Sequence, residues 1–214
     1  MRDRNFRRQH ALSLGAALVG WGFVTPRLPP ALRVVVQAGV GVLLVRLTRA
    51  PLGLRPPRLW TGLRWGLAAG GVAAAAIAGA TAIAPVRLSM SARRLPASTP
   101  AWLLLRIPIG TVWAEEAAFR AALAHLGARA AGDTFGGRLL PAGAFGLFHI
   151  ADARATGEPL AATVLATGVG GWVFGWLAAR SGSLAAPMLA HLVVNEAGAI
   201  AALIIQRDRR KRSR

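Results

Sequence analysis

The sequence predicts an all-α fold, a polytopic transmembrane helix bundle of about six to eight membrane segments. Three observations predict it. The chain is 54% hydrophobic and only 16% charged, with a mean hydropathy of +0.46, a balance foreign to most soluble domains. Apolar runs recur along all 214 residues, at 11–25, 31–45, 62–85, 101–127, 137–150, 159–179 and 183–205. The breaks between them are rich in proline and arginine, which punctuate helices and mark the membrane interface.

The first run follows Arg7-Arg8 and covers Ala11 to Val24. A secretory or twin-arginine signal starts this way, but Val24-Thr25-Pro26-Arg27 offers no small-x-small cleavage site. An uncleaved membrane segment is therefore expected. The second run ends ahead of the break from Pro51 to Arg58. The third is dominated by small residues, Ala68-Ala69-Gly70-Gly71-Val72 and then four alanines from Ala73, which allow close helix–helix approach in lipid. A further break, Arg93-Arg94-Leu95-Pro96, precedes the fourth run. The fifth, 137–150, has fourteen residues, short of the ~20 that a spanning helix needs. In the sixth, Thr167-Gly168-Val169-Gly170-Gly171-Trp172 reads as a packing face, because it lacks the lysine and hydroxyl residue of a phosphate loop. No internal repeat is visible.

The net charge of +18 is nearly all arginine, Lys211 being the only lysine. The arginines sit between apolar runs and at the termini: Arg2, Arg4, Arg7 and Arg8, then Arg207, Arg209, Arg210, Lys211, Arg212 and Arg214. Such flanking clusters set topology and attract anionic lipid, so membrane lipid is the expected partner and nucleic acid is not. The basic N-terminus, the Arg46–Arg64 connection with its five arginines and the basic tail all argue for the cytoplasmic side. Two cytoplasmic ends need an even number of crossings, whereas seven runs are present. Either 137–150 does not cross, or two short N-terminal runs form a re-entrant pair. The absence of cysteine excludes disulfides, thiolate metal sites and a cysteine nucleophile.

Charged and polar groups stand inside three of the runs. Left unpaired at the bilayer centre, Glu115, Glu116 and Arg120 would cost about 8–10 kcal/mol together. Glu116 and Arg120 are four apart and share a face, so they can pair. Glu115 lies about 100° round an α-helix from Glu116 and would face a different neighbour. Phe145 and His149 are four apart, as are His191 and Asn195. Three helices thus each present a polar stripe suited to one buried pocket. Carboxylate, imidazoles and amide supply a general base, a proton shuttle and oxyanion donors. No serine or threonine beside the histidines reads as a nucleophile, which leaves water as the attacker. Each motif also has a plainer reading: a structural Glu–Arg pair, or a histidine that only hydrogen-bonds a neighbour. His10 and His125 take that reading, Trp102, Trp113, Trp172 and Trp176 read as anchors or packing, and Asp152 and Glu158 as solvated loop charges.

The order Glu-Glu-x-x-x-Arg, Phe-x-x-x-His, His-x-x-x-Asn, each on a hydrophobic helix, resembles the CPBP family of intramembrane proteases. That family includes the type II CAAX prenyl endopeptidases and the bacterial bacteriocin-processing and immunity (Abi) proteins. The resemblance covers about Trp102 to Ile205 and includes the approach from Arg180 to His191. Ala121 departs from it, standing where the family often has glycine.

By resemblance, Glu115 activates water with help from His149, Glu116 and Arg120 hold the first motif, His191 and Asn195 stabilise the oxyanion, and Phe145 packs the pocket wall. Cofactors are none or zinc. Glu115, His149 and His191 are a reasonable zinc set, while Glu116, the one carboxylate left as base, is committed to Arg120, which favours the metal-free route. The implied organisation is a single integral-membrane domain over 1–214: N-terminal helices without a motif over 1–100, a catalytic four-helix core over 101–206 and a basic tail over 207–214. The implied function is an endopeptidase of the bacterial cell membrane that hydrolyses a membrane-associated or prenylated peptide. The alternatives are a non-catalytic scaffold or immunity-type protein of the same fold and, more distantly, an ion-coupled transporter, which would be expected to show repeat symmetry.

Overall fold

The computed structural model describes residues 2–131 and 134–212. The side chains of Arg2, Arg4 and Arg212 and the whole of Arg214, all part of the basic termini, lie outside that description. Among the described residues every regular element is helical. Besides a 3-10 turn at Thr25–Arg27 these are, in order, α1 (Arg2–Val24), α2 (Pro30–Thr48), α3 (Arg58–Ala80), α4 (Ala84–Ala92), α5 (residues 99–131), α6 (Thr134–Phe148), α7 (Ile150–Thr156), α8 (Leu160–Ser181) and α9 (Ala185–Arg212). Four of them, α2, α3, α8 and α9, are long and apolar enough to cross a membrane.

Local chemistry sets the ends. Helix α2 opens with Pro30 in its first turn, and α8 follows directly on Pro159. Helix α8 stops at Gly182, whose φ of 66° is left-handed and whose N–H donates to the Ala178 carbonyl, the usual glycine stop. Each apolar run coincides with a helix, with two differences. The run 62–85 breaks after Ala80 and a new helix, α4, starts at Ala84, where Pro85 suits a first turn but not a helix interior. The last run continues as helix through the basic residues to Arg212. Gln206 helps to tie it down, its amide donating to the Met90 and Arg93 carbonyls at 3.0 and 2.7 Å.

Helix α5 is wound unusually. Trp102–Trp113 and Glu116–Leu123 are π-helical, with hydrogen bonds from i to i+5 and more residues per turn than an α-helix. Pro108 sits in the first stretch and cannot complete an α ladder, having no N–H.

Packing then fixes the bundle. Gly62, Gly66 and Gly70 form one stripe on α3 that lies against the start of α9. A Cβ on Gly62 would come 2.6 Å from the Ser183 side chain, one on Gly66 2.8 Å from Leu189 Cβ, and one on Gly70 2.9 Å from Val193. The small-residue run therefore brings two spanning helices to backbone distance. On the other side, Leu18 of α1 joins Phe119 and Leu123 of α5 and Phe145 and Phe148 of α6 in one cluster. Helix α2 reaches α5 where Gly41 faces Ala114 and Ala117. The N-terminal helices thus wall the segment that carries the first motif. Val72, Leu104 and Leu165 are each more than two-thirds exposed, at 73%, 77% and 69%, a surface suited to lipid.

Gly66→Leu drives a side chain into the Ala186 backbone, whose carbonyl oxygen would lie 2.9 Å from the new Cβ. It should lower stability by about 1–3 kcal/mol, seen as a reduced melting temperature of purified protein. Gly71→Leu, where nothing lies within 4 Å of the new Cβ, should leave it unchanged.

Candidate active site

The buried cluster is built on α5. Glu116, Arg120 and Phe119 are almost fully enclosed, and Glu115 keeps 7% of its surface. Glu116 is the link. Its Oε2 lies 3.4 Å from Arg120 Nε as an ion pair, and its Oε1 lies 2.8 Å from Nδ1 of His191 on α9. A carboxylate at this position accepts, so Nδ1 carries the proton and Nε2 presents a lone pair. That Nε2 lies 3.8 Å from Oε2 of Glu115, an oxygen buried without a hydrogen-bond partner.

Both glutamates therefore address the same imidazole, where an α-helix would turn Glu115 towards another neighbour. Glu115 itself lies between the two π stretches with ordinary α-region backbone angles, φ −73° and ψ −42°, so the two carboxylates meet the ring through their flexible side chains.

Arg120 is held more by rings than by hydrogen bonds. Its guanidinium carbon lies 3.9 Å from the Phe145 ring centroid, 5.2 Å from that of Phe174 and 5.9 Å from that of Phe119. Nε, Nη1 and Nη2 are all buried with no hydrogen-bond partner. Gly171 makes room: a Cβ there would meet Phe145 at 3.0 Å and Arg120 Nη2 at 3.3 Å. Phe174, one turn on along α8, stacks on His191 with centroids 4.9 Å apart and planes 23° apart. Phe174 escaped the sequence reading, although its place three residues after Gly171 put it on the same face of α8.

His149 and Asn195 stand at the edge of this group. His149 stands between α6 and α7, its Nδ1 donating to the Phe145 carbonyl at 2.8 Å, which leaves Nε2 as an acceptor. Its ring contacts Phe145 and Phe148, and no ion pair or hydrogen bond joins it to Glu115. Asn195 Nδ2 donates to the His191 carbonyl at 3.1 Å. Phe145, His149, Phe174, His191 and Asn195 all line one cavity of about 800 Å³, completed largely by apolar side chains of α3, α8 and α9. The helices thus bring Glu115, Glu116, Arg120 and His191 together, with His149 and Asn195 on the adjoining cavity wall.

Zinc fits this arrangement poorly. Glu115 and His191 approach each other, but no three His, Asp or Glu side chains among the described residues gather as a metal-binding group.

Arg120→Ala would leave Glu116 buried without its cation and empty a space among three rings. It should cost about 3–5 kcal/mol, read as loss of yield and a large fall in melting temperature, whereas Glu115→Gln should keep both. Normal expression and melting of Arg120→Ala would refute the structural role of this arginine.

Residues 97–197 match the family described as type II CAAX prenyl endopeptidase Rce1-like. The match spans all three motifs and agrees with the CPBP resemblance that they carry. No curated protein and no solved structure matches the chain.

Proposed function

We propose, from the match of residues 97–197 to the Rce1-like family and from the geometry above, that this integral membrane protein is an intramembrane endopeptidase using water activated by Glu115. The observation that carries the reading is the gap between Glu115 Oε2 and His191 Nε2. At 3.8 Å these two acceptors are too far apart to bond directly. They are well spaced to receive the two O–H groups of one water, whose lone pairs then face outward.

Attack by that water on a peptide carbonyl forms the C–O bond while its proton passes to Glu115. Glu116 holds His191 in the tautomer and orientation that present Nε2, and Phe174 fixes the plane of its ring. The second N–H of the Asn195 amide is available to the oxyanion. His191 donates to the oxyanion only when doubly protonated, since its single proton otherwise serves Glu116. Collapse breaks the C–N bond, and Glu115 returns its proton to the leaving amine. The apolar cavity receives the lipidic part of a membrane-associated or prenylated substrate.

Glu115→Gln keeps the shape of the side chain but cannot take the proton. Purified Glu115→Gln protein should retain its melting temperature and lose at least a hundredfold in cleavage rate. Wild-type rates in that variant would remove Glu115 from the role.

Metal dependence gives a separate test. Activity should persist after exhaustive treatment with a strong chelator, and active protein should contain far less than one zinc per chain. Activity lost on chelation and restored by zinc would show that the site rearranges into a metalloprotease.

A further inference from the structure

Glu115 is poorly served on the side of α9. Its Oε2 faces the His191 Nε2 lone pair across 3.8 Å, and the next residue, Glu116, brings only a second acceptor. Among the described residues no N–H or O–H group donates to it, although a carboxylate so little exposed is costly without donors. Nor does Glu115 line the 800 Å³ cavity. It lines a small one instead, of about 20 Å³, shared with Leu18 and Trp21 of α1 and Gln37 and Val40 of α2. One water needs ~10–15 Å³ and two to four polar partners. The Glu115 carboxyl, the Gln37 amide and the Trp21 indole N–H are three.

Gln37 is the one polar side chain between Val34 and Val45. It stands three residues after Val34 and four before Gly41, which pack on Gly110 and on Ala114 and Ala117 of α5. That spacing puts it on the α5 face of α2 rather than towards lipid. A polar group turned into a membrane bundle is unusual enough to ask what it serves. Gln37 and Trp21 are both half-buried, and neither side chain makes a hydrogen bond among the described residues. Trp113, in the same seam, differs: its indole N–H donates to the Ala38 carbonyl at 3.3 Å. The small cavity thus joins a carboxylate short of donors to two polar side chains with hydrogen bonds to give.

We infer that Gln37 is a positioning residue: with Trp21 it holds a water against Glu115, on the side away from His191, and this water is the stock from which the one consumed in each turnover is replaced. The water donates to the Glu115 carboxylate and accepts from the Gln37 and Trp21 N–H groups, which keeps Oε2 facing His191. The position suits a supply. Trp21 lies four residues before Thr25 and Gln37 seven after Pro30, about 10 Å along the helix at 1.5 Å per residue. The turn between them is polar, with the Arg33 guanidinium donating to the Pro26 and Leu28 carbonyls. The 800 Å³ cavity is a poor source by comparison, being mostly apolar and taken up by substrate during the reaction. This inference rests on the protease reading and adds the route by which its water arrives.

The test uses full-length protein in nanodiscs and a fluorogenic farnesylated-cysteine peptide. Gln37→Leu keeps the bulk of the side chain and removes its amide. It should lower kcat by about tenfold or more, leave KM unchanged because the peptide chamber is elsewhere, and keep the melting temperature. The conservative Gln37→Asn should recover most of the lost rate. Wild-type kcat in Gln37→Leu overturns the inference, as does an equal loss in Gln37→Asn, which would make the position one of packing. A readout without substrate is the infrared carboxyl band of Glu115, isolated by subtracting the Glu115→Gln spectrum in each background. The band should shift in Gln37→Leu and, in the same direction, in Trp21→Phe, since one water serves both residues. A band that ignores either substitution overturns the shared water. If the band shifts in both variants while wild-type protein leaves the peptide uncut, the water site stands and the protease reading falls. If cleavage depends on Glu115 but neither kcat nor the band responds to Gln37→Leu, the protease reading stands and the water site falls.

Discussion

The position of almost every functional group here depends on one carboxylate that has no exposed surface. Glu116 is fully enclosed, and both of its oxygens are engaged, one by Arg120 and the other by His191. In a low-dielectric interior an ionised carboxylate is tolerated only with such partners. Those partners come from the same helix and from α9, so satisfying Glu116 brings the third motif to the first. The ring stack follows from the same demand. Arg120 pairs with Glu116 and has three nitrogens without a hydrogen-bond partner, and Phe145 and Phe174 supply the π faces that take the remaining charge. Gly171 is then the residue on α8 that lets the arginine fit.

The sequence made part of this visible. Spacing alone paired Glu116 with Arg120, because residues four apart meet on any helix close to α geometry. The small residues of the third run pointed to close packing, and the structure finds it in Gly62, Gly66 and Gly70 against α9. What spacing could not reach was set by tertiary contact. Glu115 and Glu116 stand about 100° apart round an α-helix, and nothing in that spacing says that α9 places His191 within reach of both. The split after Ala80 was hidden because Pro85 reads equally as the end of one helix or the start of another. The N-terminal helices carry no motif, yet Leu18 and Gly41 pack directly on the motif helix. A leucine and a glycine in apolar runs give no sign of their neighbours.

Charge balance ties the catalytic proposal to this architecture. Glu116 and Arg120 cancel, and with His191 carrying a single proton the ionised Glu115 is the unbalanced charge of the resting cluster. On the proposed mechanism the proton that the attacking water gives up passes to Glu115 and neutralises it. Attack therefore moves one negative charge from the buried carboxylate to the oxyanion and adds none. That oxyanion appears beside Asn195 and on the cavity side of a ring-held arginine.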